Sequence, residues 1–250
     1  MKIGGRAQRD PHMIEALATA FRAGESLCLV HGGGDEVSAL QRRLGMESTF
    51  LGGRRVTSAD DLEVVRMVLS GGTNKRIVAQ LITNGVRAVG VSGEDAALFR
   101  ARVTDPKMGR VGSQVTVDPA LVIHLMQGGY VPVISPLARD ADAADGATGL
   151  NVNGDDAAAA LAGALNADDL VLVADVPGVL DGDVVIPTLD VDGVGDLIAR
   201  GIAEGGMAAK LEAGIAALRA GVRSVRIAGV DGIGDLNAGT RLLISPSLVR

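Results

Sequence analysis

An α/β fold organised around a mainly parallel sheet is what this 250-residue chain predicts, on three observations. Short runs rich in Val, Ile and Leu alternate with longer Ala- and Leu-rich segments, the rhythm of strand–helix–strand units. Those short runs are mainly apolar rather than alternating, as strands covered on both faces are. Two of them end in clusters of glycine, the composition a strand-to-helix turn beside a ligand requires.

Strands are expected at 1–3, 27–31, 88–91, 131–134, 170–174 and 224–228. Helical patterns occupy 11–23, 36–44, 60–69, 74–84, 119–127, 155–165, 191–200 and 208–220. Two stretches break the rhythm. Gly52-Gly53 between Phe50-Leu51 and Val56-Thr57 predicts a hairpin over 46–57, and alternating residues around a turn at 106–109 predict another over 98–117. Such hairpins serve as lids, oligomer contacts or plain surface, and the sequence leaves these open. Residues 138–149 read as the most loop-like segment and as a hinge between two halves.

Composition narrows the function. Hydrophobic residues make up 47% of the chain and aromatic residues only 2%, so the core must be built from Ala, Val, Leu and Ile. Few aromatics leave no stacking platform for single-stranded nucleic acid. A net charge of −6 gives no global basic face for nucleic acid or a membrane surface, so an anionic ligand must be met by a few local groups. Cys28 is the only cysteine, which rules out an intramolecular disulfide, and its apolar surroundings suit an inert buried thiol. His12, His31 and His124 lack metal-ligand spacing, so no metal site is expected. Neither a signal peptide nor an apolar run near the ~20 residues of a membrane span is visible, and a cytoplasmic protein is expected.

The candidate chemistry lies in separated segments. Gly4-Gly5 follows the first strand, and Gly32-Gly33-Gly34 follows the second and leads into a helix. Glycines there admit a ligand to the backbone, and the helix start offers unpaired N–H groups to an anion. Ordinary turns explain many glycine pairs; two such loops on consecutive strands carry more weight. Neither a Walker A loop nor a G-x-G-x-x-G fingerprint occurs. Lys2 puts an ammonium inside an apolar strand, where it needs an anion unless the terminus is frayed and exposed. Lys210, read in the first turn of helix 208–220, sits where a cation is mildly unfavourable unless a phosphate is bound.

Asn151, Asn153, Asp155 and Asp156 supply more side-chain acceptors than one helix cap uses, and a carboxylate among them can orient two lysines. Arg55 is either a solvated charge or a fork for a carboxylate. The 175–179 loop after strand 170–174 is either a plain Pro-Gly turn or a nucleotide cradle.

In this order, segments 2–5, 31–34, 55–57, 73–75, 151–155, 174–179 and 205–210 resemble the amino acid kinase family over nearly the whole chain. The resemblance implies a three-layer αβα sandwich, with residues 1–145 binding an acyl-amino acid and dimerising, and 146–250 binding ATP with Mg²⁺ carried by the nucleotide. The implied reaction phosphorylates the side-chain carboxylate of N-acetyl-L-glutamate in arginine biosynthesis. An N-acyl or carrier-linked aminoadipate in lysine biosynthesis is the alternative acceptor, and a non-catalytic sensor is a third reading.

By motif position, Lys2 and Lys210 would neutralise the transferred phosphoryl group and Asp155 would hold both. Gly4, Gly5 and Gly32 would give backbone N–H groups to phosphate. Gly33, Gly34, Arg55 and Asn151 would bind the acceptor. Ala174, Asp175, Val176, Pro177, Gly178 and Val179, with Ile202, Ala203 and Glu204, would line the nucleotide pocket. A start so near Lys2 lacks the extra N-terminal helix of hexameric, arginine-sensitive members, so a homodimer without arginine feedback is expected. Two departures stand out: the basic run Arg6–Arg9, which could alter the loop near the phosphates, and Asp156, which could add negative charge to the phosphoryl path or face solvent.

Overall fold

The computed structural model describes residues 1–143 and 148–244. Its centre is an eight-stranded sheet in the order Thr188–Asp190, Thr240–Leu243, Ser224–Ala228, Asp169–Val173, Lys2–Ile3, Leu29–His31, Val131–Ser135, Ala88–Ser92. Every pairing is parallel except Ser224–Ala228 with Thr240–Leu243. All six expected strands are present.

Alternation sorts the sheet's side chains into two layers. Ile3, Leu29, Val133, Val171 and Val173 face helices Met13–Arg22 and Asn74–Thr83, packing with Leu17, Ile77 and Leu81. Val30, Ile134, Leu172, Val225 and Ile227 face helices Gly154–Ala164 and Gly205–Arg219, packing with Ala157, Leu161, Leu211 and Ile215. The result is the αβα sandwich. Small residues let these layers approach closely: a Cβ at Gly214 would lie 2.4 Å from Leu242 Cδ1. A core of Ala, Val, Leu and Ile needs this proximity, because few rings are available to fill gaps.

Three expectations are corrected. The 98–117 hairpin forms, as Phe99–Arg102 and Val111–Val117, but it is no surface insert. It closes a barrel with Leu137–Asp140 and Gly149–Val152, and Phe99, Leu137 and Leu150 are fully buried. The two ends of the supposed loop 138–149 therefore belong to these strands, while 141–143 and 148 carry no strand and residues 144–147 lie outside the described residues. Finally, helices Ala59–Arg66 and Asn74–Thr83 are joined by one widened helical stretch, Met67–Thr73, that absorbs Gly71-Gly72 without a break. Strand Thr240–Leu243 and the small hairpin Leu180–Asp181/Val184–Val185 were absent from the sequence reading.

Among the described residues, no helix is long and apolar enough to cross a membrane.

Candidate active site

Strand Lys2–Ile3 lies mid-sheet, with Lys2 in register with Leu172 on one side and Val30 on the other. Ile3 enters one core layer, so Lys2 points to the opposite side, where its Cε passes 3.3 Å from the place a Cβ on Gly154 would occupy. The terminus is not frayed: Lys2 is only 6% exposed. Its Nζ sits 3.0 Å from Asp155 Oδ1, and Lys210 Nζ lies 3.2 and 3.3 Å from the two oxygens of the same carboxylate. Three segments distant in sequence thus meet at one buried carboxylate.

Asp155 is free for this because its neighbour does the capping. Asn153 Oδ1 accepts the N–H groups of Asp155 and Asp156 at the start of helix Gly154–Ala164. Burial pushes the Asp155 carboxyl up, yet the two ammonium groups outweigh it and hold it below the ordinary carboxylate range. For Lys2, burial dominates: its pKa falls to about 8, Lys210 adding to the fall and Asp155 resisting it. Helix Gly205–Arg219 begins earlier than expected, so Lys210 stands beyond the first turn. The unfavourable dipole argument for it lapses, and the contact with Asp155 replaces it.

The Lys2 shift makes a signed prediction. The free enzyme loses this positive charge above about pH 8, so kcat/KM for an anionic substrate should fall along an alkaline limb near pH 8. Because the folded pKa is below the unfolded value of 10.5, burying the charged form is a penalty that is full below pH 8 and fades toward 10.5. Lys2's own contribution to stability therefore rises through the window in which activity declines. Thermal melts run beside the pH–rate profile check this; unfolding that tracks the limb would contradict it.

The glycine loops border a cavity of about 220 Å³ lined by Lys2, Gly33, Gly34, Arg55, Asn151 and Asp155, among others. Of the proposed backbone donors, Gly4 and Gly32 are corrected. Their N–H groups bond to Val173 and Ile3 carbonyls at 3.3 and 3.0 Å, continuing the sheet, and are not free for phosphate. The N–H groups of Gly5 and Gly33 have no acceptor among the described residues, and Gly34 opens helix Gly34–Arg43, where N–H groups lack intrahelical partners. Gly33 also has no room for a side chain: a Cβ would fall 2.7 Å from Leu69 Cδ2.

Hairpin Phe50–Leu51/Arg54–Arg55 forms one wall. Arg55 is 8% exposed, and its guanidinium donates to Gly34 O (2.9 Å), Ser38 Oγ (2.6 Å), Ser48 Oγ (2.9 Å) and Gln41 Oε1, with the Phe50 ring 4.7 Å away. Burial lowers its pKa, with Asp61 and Asp35 resisting, but no carboxylate among the described residues forms an ion pair with it. A buried arginine with only neutral partners, beside a cavity, is suited to an incoming carboxylate. Asn151 Nδ2 donates to Thr57 Oγ1 at 3.1 Å from the barrel strand Gly149–Val152.

Both anticipated departures resolve into ion pairs. Asp156 Oδ2 meets Arg54 Nη2 at 3.0 Å, tying the hairpin to the start of helix Gly154–Ala164, so its charge is paired rather than simply facing water. Arg6 pairs with Asp175 and Arg9 with Asp35, each at 3.2 Å, so the basic run is neutralised at the rim.

The segments read as nucleotide-binding lie outside the cavity, along the same edge of the sheet. Ala174 and Val179 are buried; Val179 N–H is taken by Thr240 Oγ1 at 2.8 Å, while Asp175 and Pro177 are both exposed at the turn. Ala203 is buried, and Glu204 is the residue before helix Gly205–Arg219, which carries Lys210. Sequence reasoning missed the neutral partners of Arg55, namely Ser38, Gln41 and Ser48; each is an ordinary polar residue with no spacing that marks it.

Two ammonium groups sharing one buried carboxylate, near backbone N–H groups without acceptors, are an arrangement suited to phosphoryl transfer. The model of the amino acid kinase family matches residues 1–229, and the chain belongs to that family. It is 43% identical over 245 residues to acetylglutamate kinase of Chloroflexus aurantiacus, covering 96% of this chain and 94% of that one. Against acetylglutamate kinase of Bacillus subtilis the identity is 39% over 240 residues, covering 95% and 91%. Among solved structures, smu.665 from Streptococcus mutans superposes with a TM-score of 0.85 at 27% identity, covering 96% of each chain.

Proposed function

We propose that this chain transfers the γ-phosphoryl group of ATP to the side-chain carboxylate of N-acetyl-L-glutamate, giving an acyl phosphate and ADP in arginine biosynthesis. The observation that carries the reading is the meeting of Lys2 and Lys210 on Asp155 at one end of a cavity walled by Arg55. An acceptor carboxylate is already ionised at neutral pH, so no general base is needed. One of its oxygens attacks the γ-phosphorus as the bond to the ADP oxygen breaks. The transition state is loose and anionic, and the protein's task is alignment and charge stabilisation. Lys2 and Lys210 take the transferred oxygens, Asp155 spaces them, and Gly5, Gly33 and Gly34 donate N–H groups.

Arg55 and Asn151 hold the acceptor's other end. Residues 1–145 form the acceptor half and 146–250 the nucleotide half, with 174–179 and 202–204 around the base and ribose. Mg²⁺ enters with the ATP phosphates and keeps water ligands. The donor set fits a nucleotide-borne ion, since the buried carboxylate at the site, Asp155, is committed to lysines. On the same kinship we place the enzyme in the cytoplasm as a homodimer, which light scattering tests as twice the chain mass.

A panel of N-acetyl-glutamate, N-succinyl-glutamate and N-acetyl-aminoadipate with Mg-ATP tests the acceptor. Turnover should be highest with the first; preference for the aminoadipate derivative would reject it. A one-methylene change in a fitted pocket is worth about 1–3 kcal/mol, or roughly 10- to 200-fold. Arg55→Ala should raise acceptor KM on the order of tenfold or more with little change in KM for ATP, since it removes a charge-assisted fork. Unchanged acceptor affinity would remove Arg55 from the site.

A further inference from the structure

His31 and Asn74 are both fully buried beside the glycine loop, and the phosphoryl-transfer chemistry above uses neither. Their hydrogen bonds form a directed chain. Asn74 Oδ1 accepts from Lys75 Nζ at 3.1 Å, and Asn74 Nδ2 donates to Val133 O at 2.8 Å. These two partners fix which end of the amide is which. The same Nδ2 lies 3.2 Å from His31 Nε2, so Nε2 must accept and the single imidazole proton must reside on Nδ1. Nδ1 lies 2.9 Å from the carbonyl of Gly32 and donates to it. That carbonyl receives a second donor, Gln8 Nε2, also at 2.9 Å. The room for the arrangement is built in: on strand Ala88–Ser92, where Gly90 is in register with Val133, a Cβ at Gly90 would fall 1.9 Å from Asn74 Oδ1.

We infer that His31 is a positioning residue, held by Asn74 as the Nδ1–H tautomer, which with Gln8 clamps the Gly32 carbonyl and so aims the Gly33 N–H at the transferred phosphoryl group. The geometry of the amide carries the last step. In a trans peptide the C=O and the following N–H point to opposite sides, so fixing the carbonyl against the protein turns the N–H of Gly33 toward the cavity. That N–H is one of those without an acceptor among the described residues. The role rests on the proposed phosphoryl transfer only for its catalytic consequence; the tautomer itself is independent of substrate.

The test separates the two. Long-range ¹H–¹⁵N spectra of the ligand-free protein should show His31 protonated at Nδ1, opposite to the preference of a free histidine side chain in water, and Asn74→Leu should shift the balance toward Nε2–H. In kinetics, His31→Asn places an amide nitrogen where Nδ1 was and can still reach Gly32; His31→Gln places it where Nε2 was and cannot. His31→Gln should lower kcat on the order of 10²-fold, the cost of a misaligned reacting geometry. His31→Asn should recover at least about tenfold of that loss with KM for ATP nearly unchanged, a split a purely structural role would not give. An Nε2–H tautomer in the wild-type protein overturns the inference, and so does equal impairment of the Asn and Gln variants. Absence of kinase activity on every acceptor, with the Nδ1–H tautomer intact, would sink the proposed reaction and leave the clamp standing.

Discussion

Lys210→Ala is expected to lower kcat about 10²- to 10³-fold while KM for ATP and for the acceptor stay within a few-fold, the range for removing one preorganised donor to developing charge. The argument rests on when the interaction matters. In the ligand-free site Lys210 is held by Asp155 at 3.2 and 3.3 Å, 11% of its side chain remaining exposed, so its position is fixed before substrate arrives. Its ammonium gains most when charge spreads over the equatorial oxygens during transfer, and an interaction made mainly in the transition state appears in kcat. Steady-state kinetics with both substrates varied decides it. A variant with near-normal kcat and a greatly raised KM would make Lys210 a ground-state binding group.

Asp155→Asn should be the most destabilising single change at the site. The substitution keeps the shape and removes the negative charge that two nearly buried ammonium groups share. Removing one member of a buried ion pair leaves uncompensated charge and costs about 3–5 kcal/mol. Denaturant unfolding of the variant should show this loss. Adding Lys210→Met should restore part of it, because one repelling charge is gone, while activity stays abolished. Wild-type stability in Asp155→Asn would mean that the lysines are satisfied elsewhere and that Asp155 does not organise them. Acid should act in the same direction: the carboxyl's depressed pKa gives stability that is present above the ordinary carboxylate range and lost as pH falls through the depressed value.

Much of the candidate site was legible because its residues are out of place locally. Lys2 is a charge inside an apolar strand, 151–156 holds more cap-type side chains than one cap uses, and glycines crowd two strand ends. Such local conflicts mark sites where function competes with folding preference. The alternating αβ pattern likewise revealed all six of these strands, since strands covered on both faces read as mainly apolar runs.

What escaped has its own physical cause. Leu137–Asp140 and Gly149–Val152 carry Ala, Arg, Asp, Gly and Asn, poor strand formers, and become strands because Phe99–Arg102 and Val111–Val117 offer them ladder partners. Tertiary pairing overrode propensity there. Glycine alone did not reveal which N–H groups remain free. The register of Lys2–Ile3 against its two neighbours consumes those of Gly4 and Gly32 and spares those of Gly5 and Gly33, and that register is a property of the sheet. Asp156 is similar: only the fold brings Arg54 of the hairpin beside it.

The most direct measurement is a structure with ADP, Mg²⁺, N-acetyl-L-glutamate and a planar aluminium fluoride in place of the migrating group. Lys2 and Lys210 Nζ should each lie within about 3 Å of its equatorial fluorides, with Asp155 between them and the acceptor carboxylate in line with the ADP oxygen. A mimic bound elsewhere, or with either ammonium turned away from it, would contradict the assignment of these three residues to phosphoryl transfer.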